Sequence, residues 1–320
     1  MQSRNLGKLG PVSVLALGGG GVGQLWGKVE RDETVATVRA AADSGITLLD
    51  MAVRYGEGEA ESVVGLAFGG RLPAGMRVTT KCRLLADDPD PAATLERSLR
   101  GSLARMKLER VDLFFLHNHL APDGAQYAPP ALPWSRFTGE IRPALERMVA
   151  LGLAGAWGFT GIGVPKVTMR AIEDAPQPAA ILAIANFLDS TAELKTFDEP
   201  LEPRNVIACA RRNGVGVLGV RAAGAGAFTD TLDRELPADH PILRDYRRAE
   251  PFRRLARELG ESPAALAHRY ALGMDGVTTV VLGVKNRVEL AECVAAAGRG
   301  PLDPAIVARI DALYAARRAT

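Results

Sequence analysis

The strongest constraint in this chain is one alternation of strand-like and helix-like runs, repeated eight times. Short apolar runs at 14–17, 46–50, 77–81, 111–117, 154–159, 180–185, 215–220 and 277–282 each give way to a stretch with helical spacing. A strand repeats every second residue and a helix every 3.6, so one element cannot satisfy both patterns. The first helix shows the reading: over 34–44, Val35, Val38, Ala41 and Ala42 share one face, and Gly45 follows as a stop. Further helices are expected at 58–68, 91–106, 141–151, 165–174, 203–213, 250–259, 262–272 and 287–297. Pro91 opens the second of these, where its fixed φ and missing N–H do no harm. Strands alternating with helices imply a parallel sheet. Eight units imply closure into a (β/α)8 TIM barrel. An N-terminal β-hairpin at about 4–14 precedes the first strand, and a C-terminal extra helix at 304–317 follows the last unit. No linker divides the chain, which reads as a single domain over 1–320.

Two stretches break the rhythm. Residues 120–140 hold Pro122, Pro129, Pro130 and Pro133 with Tyr127, Trp134 and Phe137, and 221–249 is irregular. They follow the fourth and seventh strands, which places both loops at the carboxyl ends of the strands.

Composition removes several function classes. Lysine and arginine number 39 against 37 acidic residues, a formal charge of +2, so no nucleic acid or anionic membrane is expected as a partner. No apolar run approaches the roughly 18 residues of a spanning helix. The opening Met1–Gly7 lacks the apolar core of a signal peptide. Cys82, Cys209 and Cys293 are isolated, outside any metal-ligand spacing, as expected of reduced thiols in a cytoplasmic protein.

The chemistry sits where strands stop. The run 46–50 ends on Asp50, with Tyr55 close behind; 78–81 ends on Lys81; 111–117 ends on His117. Singly, each has a bland explanation: a cap, a solvated strand end, a loop aromatic, a core histidine. Together, on the carboxyl face of a barrel, they form a proton-transfer set. A phenol with a reference pKa of about 10 is a proton donor at neutral pH, and a neighbouring ammonium should lower that value. Lys81 then needs Asp50 as counter-charge, and His117 can orient a carbonyl oxygen. The sequence shows no metal-ligand spacing, nucleophile elbow or P-loop lysine pattern. An acid alone suits hydride addition, with the hydride carried by a cofactor.

Gly18–Gly23 formally satisfies G-x-G-x-x-G after a strand. A dinucleotide fingerprint needs a helix straight after the third glycine. Here the apolar helical pattern starts only near Thr34, so the stretch reads as a glycine-rich loop around Gly19 that lets a ligand approach, walled by Trp26.

These segments resemble a family. Residues 49–61, Leu-Asp-Met-Ala-Val-Arg-Tyr-Gly-Glu-Gly-Glu-Ala-Glu, are similar to the aldo-keto reductase signature around its catalytic Asp and Tyr. Val78–Lys81 resembles that superfamily's lysine strand and Asp112–Asn118 its histidine strand, with further similarity at 155–161 and 278–283. Residues 221–228 are similar to a bacterial aldose- or sugar-dehydrogenase-like branch. The resemblance implies Tyr55 as general acid/base, Lys81 and Asp50 as its tuning pair, and His117 as carbonyl orienter. It implies a nicotinamide cofactor across the barrel mouth, near Gly19, Thr160, Asn186, Arg221, Gly283, Lys285 and Arg287. Several cofactor positions depart from the family pattern: Thr160-Gly161 replaces a Ser-Asn pair, Leu182 a Gln, Val220 or Arg221 an aromatic, and Glu292-Cys293 a Glu-Asn pair. Lys285 and Arg287 lie where relatives contact an adenosine 2′-phosphate, which favours NADP over NAD.

The expected function is therefore an NAD(P)(H)-dependent oxidoreductase interconverting an aldehyde, ketone or sugar with its alcohol or lactone. The alternatives are a cofactor-binding sensor or channel-type regulatory subunit, and a lyase or epimerase using bound cofactor transiently. Trp26, Arg54, Asn118 and Trp134, with His119, Tyr127 and Phe137, are the expected substrate contacts. Nothing in the pattern fixes the oligomeric state.

Overall fold

The computed structural model describes residues 1–125 and 131–315, so Tyr127 lies outside the described residues. Eight strands close into a barrel: β1 (Leu15–Gly18), β2 (Leu48–Asp50), β3 (Arg77–Cys82), β4 (Val111–Leu116), β5 (Ala154–Thr160), β6 (Ala180–Ile184), β7 (Gly216–Val220) and β8 (Thr279–Leu282). Neighbours in sequence are neighbours in the barrel, β8 pairs back to β1, and every pairing is parallel. Each strand feeds at least one helix on the outside, as the alternation requires.

Strand parity builds two cores. On β4, Leu113 and Phe115 face the barrel interior while Phe114 and Leu116 face the helical shell. The interior cluster adds Ala16, Leu48, Ala180, Leu182 and Leu218. At the amino-terminal end it is completed by Leu6 and Val12, carried by the hairpin Ser3–Asn5 and Pro11–Ser13. The hairpin seats tightly: at Gly7 (φ +52°) a Cβ would lie 2.6 Å from the Ala179 carbonyl oxygen. That end of the barrel is stoppered, which leaves the carboxyl ends of the strands for a site.

The structure corrects three local expectations. Gly19–Val22 is not an open loop but one helical turn directly after β1. The 120–140 stretch is only partly a loop. His119–Ala121 pairs with Ala131–Pro133, and helical backbone then runs from Trp134 through a π turn at Phe137–Ile141 into Arg142–Ala150. The 221–249 stretch contains a helix, Pro241–Arg248, whose first turn is capped where Ile242 N–H donates to His240 Nδ1. Its sequence, Pro-Ile-Leu-Arg-Asp-Tyr-Arg-Arg, carries too few apolar residues to show a buried face.

Among the described residues no helix is long and apolar enough to cross a membrane. No group of three or more His, Cys, Asp or Glu there could hold a metal ion.

Phe115 is fully buried in the interior cluster. Replacing it with alanine should lower unfolding free energy by about 3–5 kcal/mol. Urea titration should show an earlier midpoint at an unchanged m-value.

Candidate active site

Parity also delivers the polar groups. Leu48 and Asp50 share a face of β2, Thr79 and Lys81 a face of β3, and Leu113, Phe115 and His117 follow one another along β4. The same rule carries on beyond Lys81 to Arg83, which lines the cavity described below. Tyr55 arrives differently, on the turn after β2, where its N–H donates to the Ala52 carbonyl and its own carbonyl accepts from Ala60 N–H. The glycine turn holds it: a Cβ on Gly19 would stand 2.8 Å from Tyr55 Cδ2, and one on Gly21 only 1.9 Å from the Val284 oxygen. Absent side chains let this turn wedge between Tyr55 and the loop after β8.

Lys81 is fully buried, its Nζ 2.9 Å from Asp50 Oδ1 and donating to the Met51 carbonyl at 2.8 Å. Thr79 Oγ1 donates to the same carboxylate oxygen at 2.8 Å. Lys81 Nζ lies 4.9 Å from the Tyr55 ring centre, and His117 meets that ring edge-to-face at 5.9 Å. Burial works against the Lys81 ammonium, but Asp50 and Tyr55 outweigh it and hold its pKa above the ordinary value. The expected lowering of Tyr55 does not emerge as a net effect. Burial pushes the phenol up by more than Lys81 pulls it down, so the net shift is upward. His117 is held well below the usual imidazole value by burial, then by Lys81, Arg54 and Arg83, so its ring is neutral. Its Nδ1 is buried without a partner.

Above these groups opens a cavity of about 870 Å³. Asp50, Tyr55 and His117 line it, as do Gly19, Trp26, Arg54, Thr160, Arg221, Gly283 and Lys285. Arg221 stands at φ +64°, a conformation that costs a non-glycine residue energy unless its surroundings hold it. Asn186 supplies that hold, donating to the Arg221 carbonyl at 3.1 Å and the Ser190 carbonyl at 3.0 Å while accepting from Leu188 and Ser190 N–H. Six candidates stand outside the lining: Lys81, buried beneath it, with Asn186, Asn118, Trp134, Phe137 and Arg287. Asn118 falls on the opposite parity from His117 and spends its amide on Leu84, accepting from its N–H at 2.8 Å and donating to its carbonyl at 2.9 Å. Trp134 packs on Phe137 and under the Arg170 guanidinium, 4.3 Å away. Arg287 turns outward to Glu33 at 2.8 Å. Among the lining residues that sequence reasoning missed are Arg83, Glu193, Asp233 and Glu289. Arg83 was within reach of parity; the others come from helix starts and loops whose approach no local pattern encodes.

The family model of the aldo/keto reductases matches residues 14–315. The chain belongs to that family. It is 25% identical over 300 residues to L-galactose dehydrogenase of Arabidopsis thaliana, covering 92% of this chain and 88% of that protein. Among solved structures, glycerol dehydrogenase from Gluconobacter oxydans superposes with a TM-score of 0.73 at 24% identity, covering 98% of this chain and 95% of the other. An aldo/keto reductase from Klebsiella pneumoniae, solved with NADP and acetate, gives 0.71 at 20% identity, covering 98% and 95%. The barrel is the fold these structures share, and the aldo/keto reductase now has its class: an NAD(P)-dependent oxidoreductase.

The Asp50–Lys81 pair is testable by a double-mutant cycle. Asp50→Leu alone strands a buried ammonium and should cost about 3–5 kcal/mol, whereas adding Lys81→Met should restore much of it. Denaturant melts of the three variants check this; additive losses would refute the coupling.

Proposed function

We propose that this aldo/keto reductase interconverts a carbonyl, in an aldehyde, ketone or sugar, with the corresponding alcohol or lactone, using Tyr55 as general acid/base. The observation that carries the reading is the phenol placed on a buried, paired lysine at the floor of a cavity that also exposes a neutral histidine. The residues suit a dinucleotide: the cavity reaches from Tyr55 past Trp26 and Arg221 to Lys285 and Glu289, within the size range of cofactor clefts. When bound, a reduced nicotinamide supplies the hydride for the carbonyl carbon. Tyr55 gives its proton to the carbonyl oxygen, Lys81 stabilises the phenolate left behind, and Asp50 keeps Lys81 charged. His117, neutral, donates a hydrogen bond to the same oxygen and fixes its position. In the oxidative direction the Tyr55 phenolate takes the hydroxyl proton back.

Tyr55→Phe should lower kcat for aldehyde reduction by about a hundredfold or more, the share general acid catalysis supplies. Because the phenol titrates above its ordinary value, the wild-type reduction rate should stay level through neutral pH and fall only in strong alkali, as the proton is lost. Following NAD(P)H absorbance checks both. Equal turnover by the two proteins would sink the assignment, and cofactor binding without turnover would favour a sensor.

The expectation of NADP rested on Lys285 and Arg287, and their positions turn the proposal toward NAD. Arg287 is outside the cavity on Glu33. Lys285 is inside but sits against Asp233 and 3.6 Å from Glu289. Glu292 follows Glu289 by three residues along the same helix, and both line the cavity. A carboxylate accepts hydrogen bonds from a ribose diol and repels a 2′-phosphate. NADH should bind at least about tenfold more tightly than NADPH, a difference of about 1.4 kcal/mol. Quenching of tryptophan fluorescence measures both, Trp26 being in the cavity wall, and Glu289→Gln should narrow the gap.

A further inference from the structure

The cavity sorts its cations into two kinds. Arg221 has Glu193, Arg234 has Asp233, and Lys285 has Asp233 and Glu289, each within 4.0 Å. Arg54 and Arg83 also line it, yet among the described residues neither makes an ion pair or a side-chain hydrogen bond. The two stretches beyond description, 126–130 and 316–320, contain no aspartate or glutamate side chain that could serve. A cation that spends its charge on a neighbour builds structure; one that points into a cavity unpaired is available to a ligand. Guanidinium suits this use, since its planar fork matches the two oxygens of a carboxylate or phosphate.

Position narrows the ligand. Arg54 immediately precedes Tyr55, and Arg83 stands two residues beyond Lys81 on the inward side of the chain leaving β3. Both lie close enough to His117 to add to the burial that disfavours its charged form, and Arg54 likewise adds to the burial that disfavours the charge on Arg83. His119, also in the wall, is held at about 4 by burial and by Arg83, so it adds no charge. The cation pair therefore flanks the reacting end of the cavity, while the carboxylates Asp233 and Glu289 hold Lys285. Two like charges that repel each other are relieved by one anion between them.

We propose that Arg54 and Arg83 form an anion subsite beside Tyr55 and His117, so that the substrate is a carbonyl compound carrying a carboxylate or a phosphate. The proposal rests on the oxidoreductase reading for the word substrate, but the subsite itself does not. The reaction is unchanged: hydride to the carbonyl carbon, the Tyr55 proton to its oxygen, and the anion untouched.

The test compares charged and neutral twins: succinic semialdehyde against butanal, and glyceraldehyde 3-phosphate against glyceraldehyde, at saturating NADH. At least one charged twin should show kcat/KM tenfold or more above its neutral partner, and the pair that does tells a carboxylate site from a phosphate site. Added salt should shrink that ratio, since the attraction is screened. Arg83→Met should bring the ratio near one, Arg83→Lys should retain part of it, and Arg54→Met should reduce it. Equal kcat/KM for both pairs of twins in the wild type would overturn the proposal. So would a ratio indifferent to Arg83→Met, or an Arg83→Met loss matched by an equal loss in NADH affinity, which would assign the arginines to the cofactor phosphates. Calorimetry with succinate and with inorganic phosphate separates the two readings. Binding lost in Arg83→Met, without turnover of any aldehyde, would keep the subsite and remove the oxidoreductase. Turnover of neutral aldehydes with no anion binding would do the reverse.

Discussion

A buried ammonium is the interaction on which this site depends. Lys81 has no exposure to solvent, and taking a charge out of water costs several kcal/mol unless its surroundings replace the lost hydration. Asp50, the Met51 carbonyl and the Tyr55 phenol do so. That arrangement ties three elements together, β2, β3 and the turn after β2, and needs the two strands paired in register. The pair is thus both a folding constraint and a source of charge beside the phenol.

Burial and charge pull the Tyr55 phenol in opposite directions, and burial wins. A site built to hold a phenolate at rest would show the reverse balance. In the proposed reaction the resting group is the proton donor, and Lys81 acts chiefly on the charge that develops once the proton leaves. The neutral His117 complements it, because an imidazolium at the same place would compete for the role of donor and repel the cations around it.

Much of this was legible in sequence. Two-residue periodicity identified the barrel strands, and the same parity explains why Asp50, Lys81 and His117 share one space. It also separates His117 from Asn118, whose amide holds Leu84. What stayed hidden has two causes. Arginine-rich segments such as Pro241–Arg248, which buries only Ile242 and Asp245, lack the apolar stripe that announces a helix. Charge partners such as Glu33 for Arg287 or Asp233 for Lys285 come from positions far apart in the chain, so basic residues look free in sequence when they are already engaged. The glycine run hid its helical turn and its packing role: its missing side chains admit Tyr55 and Val284, while Gly18, Gly19 and Gly20 line the cavity.

The hairpin that inserts Leu6 and Val12 into the base of the barrel has a consequence for water. With Leu113, Phe115, Leu182 and Leu218 above them, these side chains make the barrel a solid pedestal rather than a passage. Water has no route to Lys81 from below, so the ammonium stands on a dry floor and its only company is the set of groups the strand ends deliver.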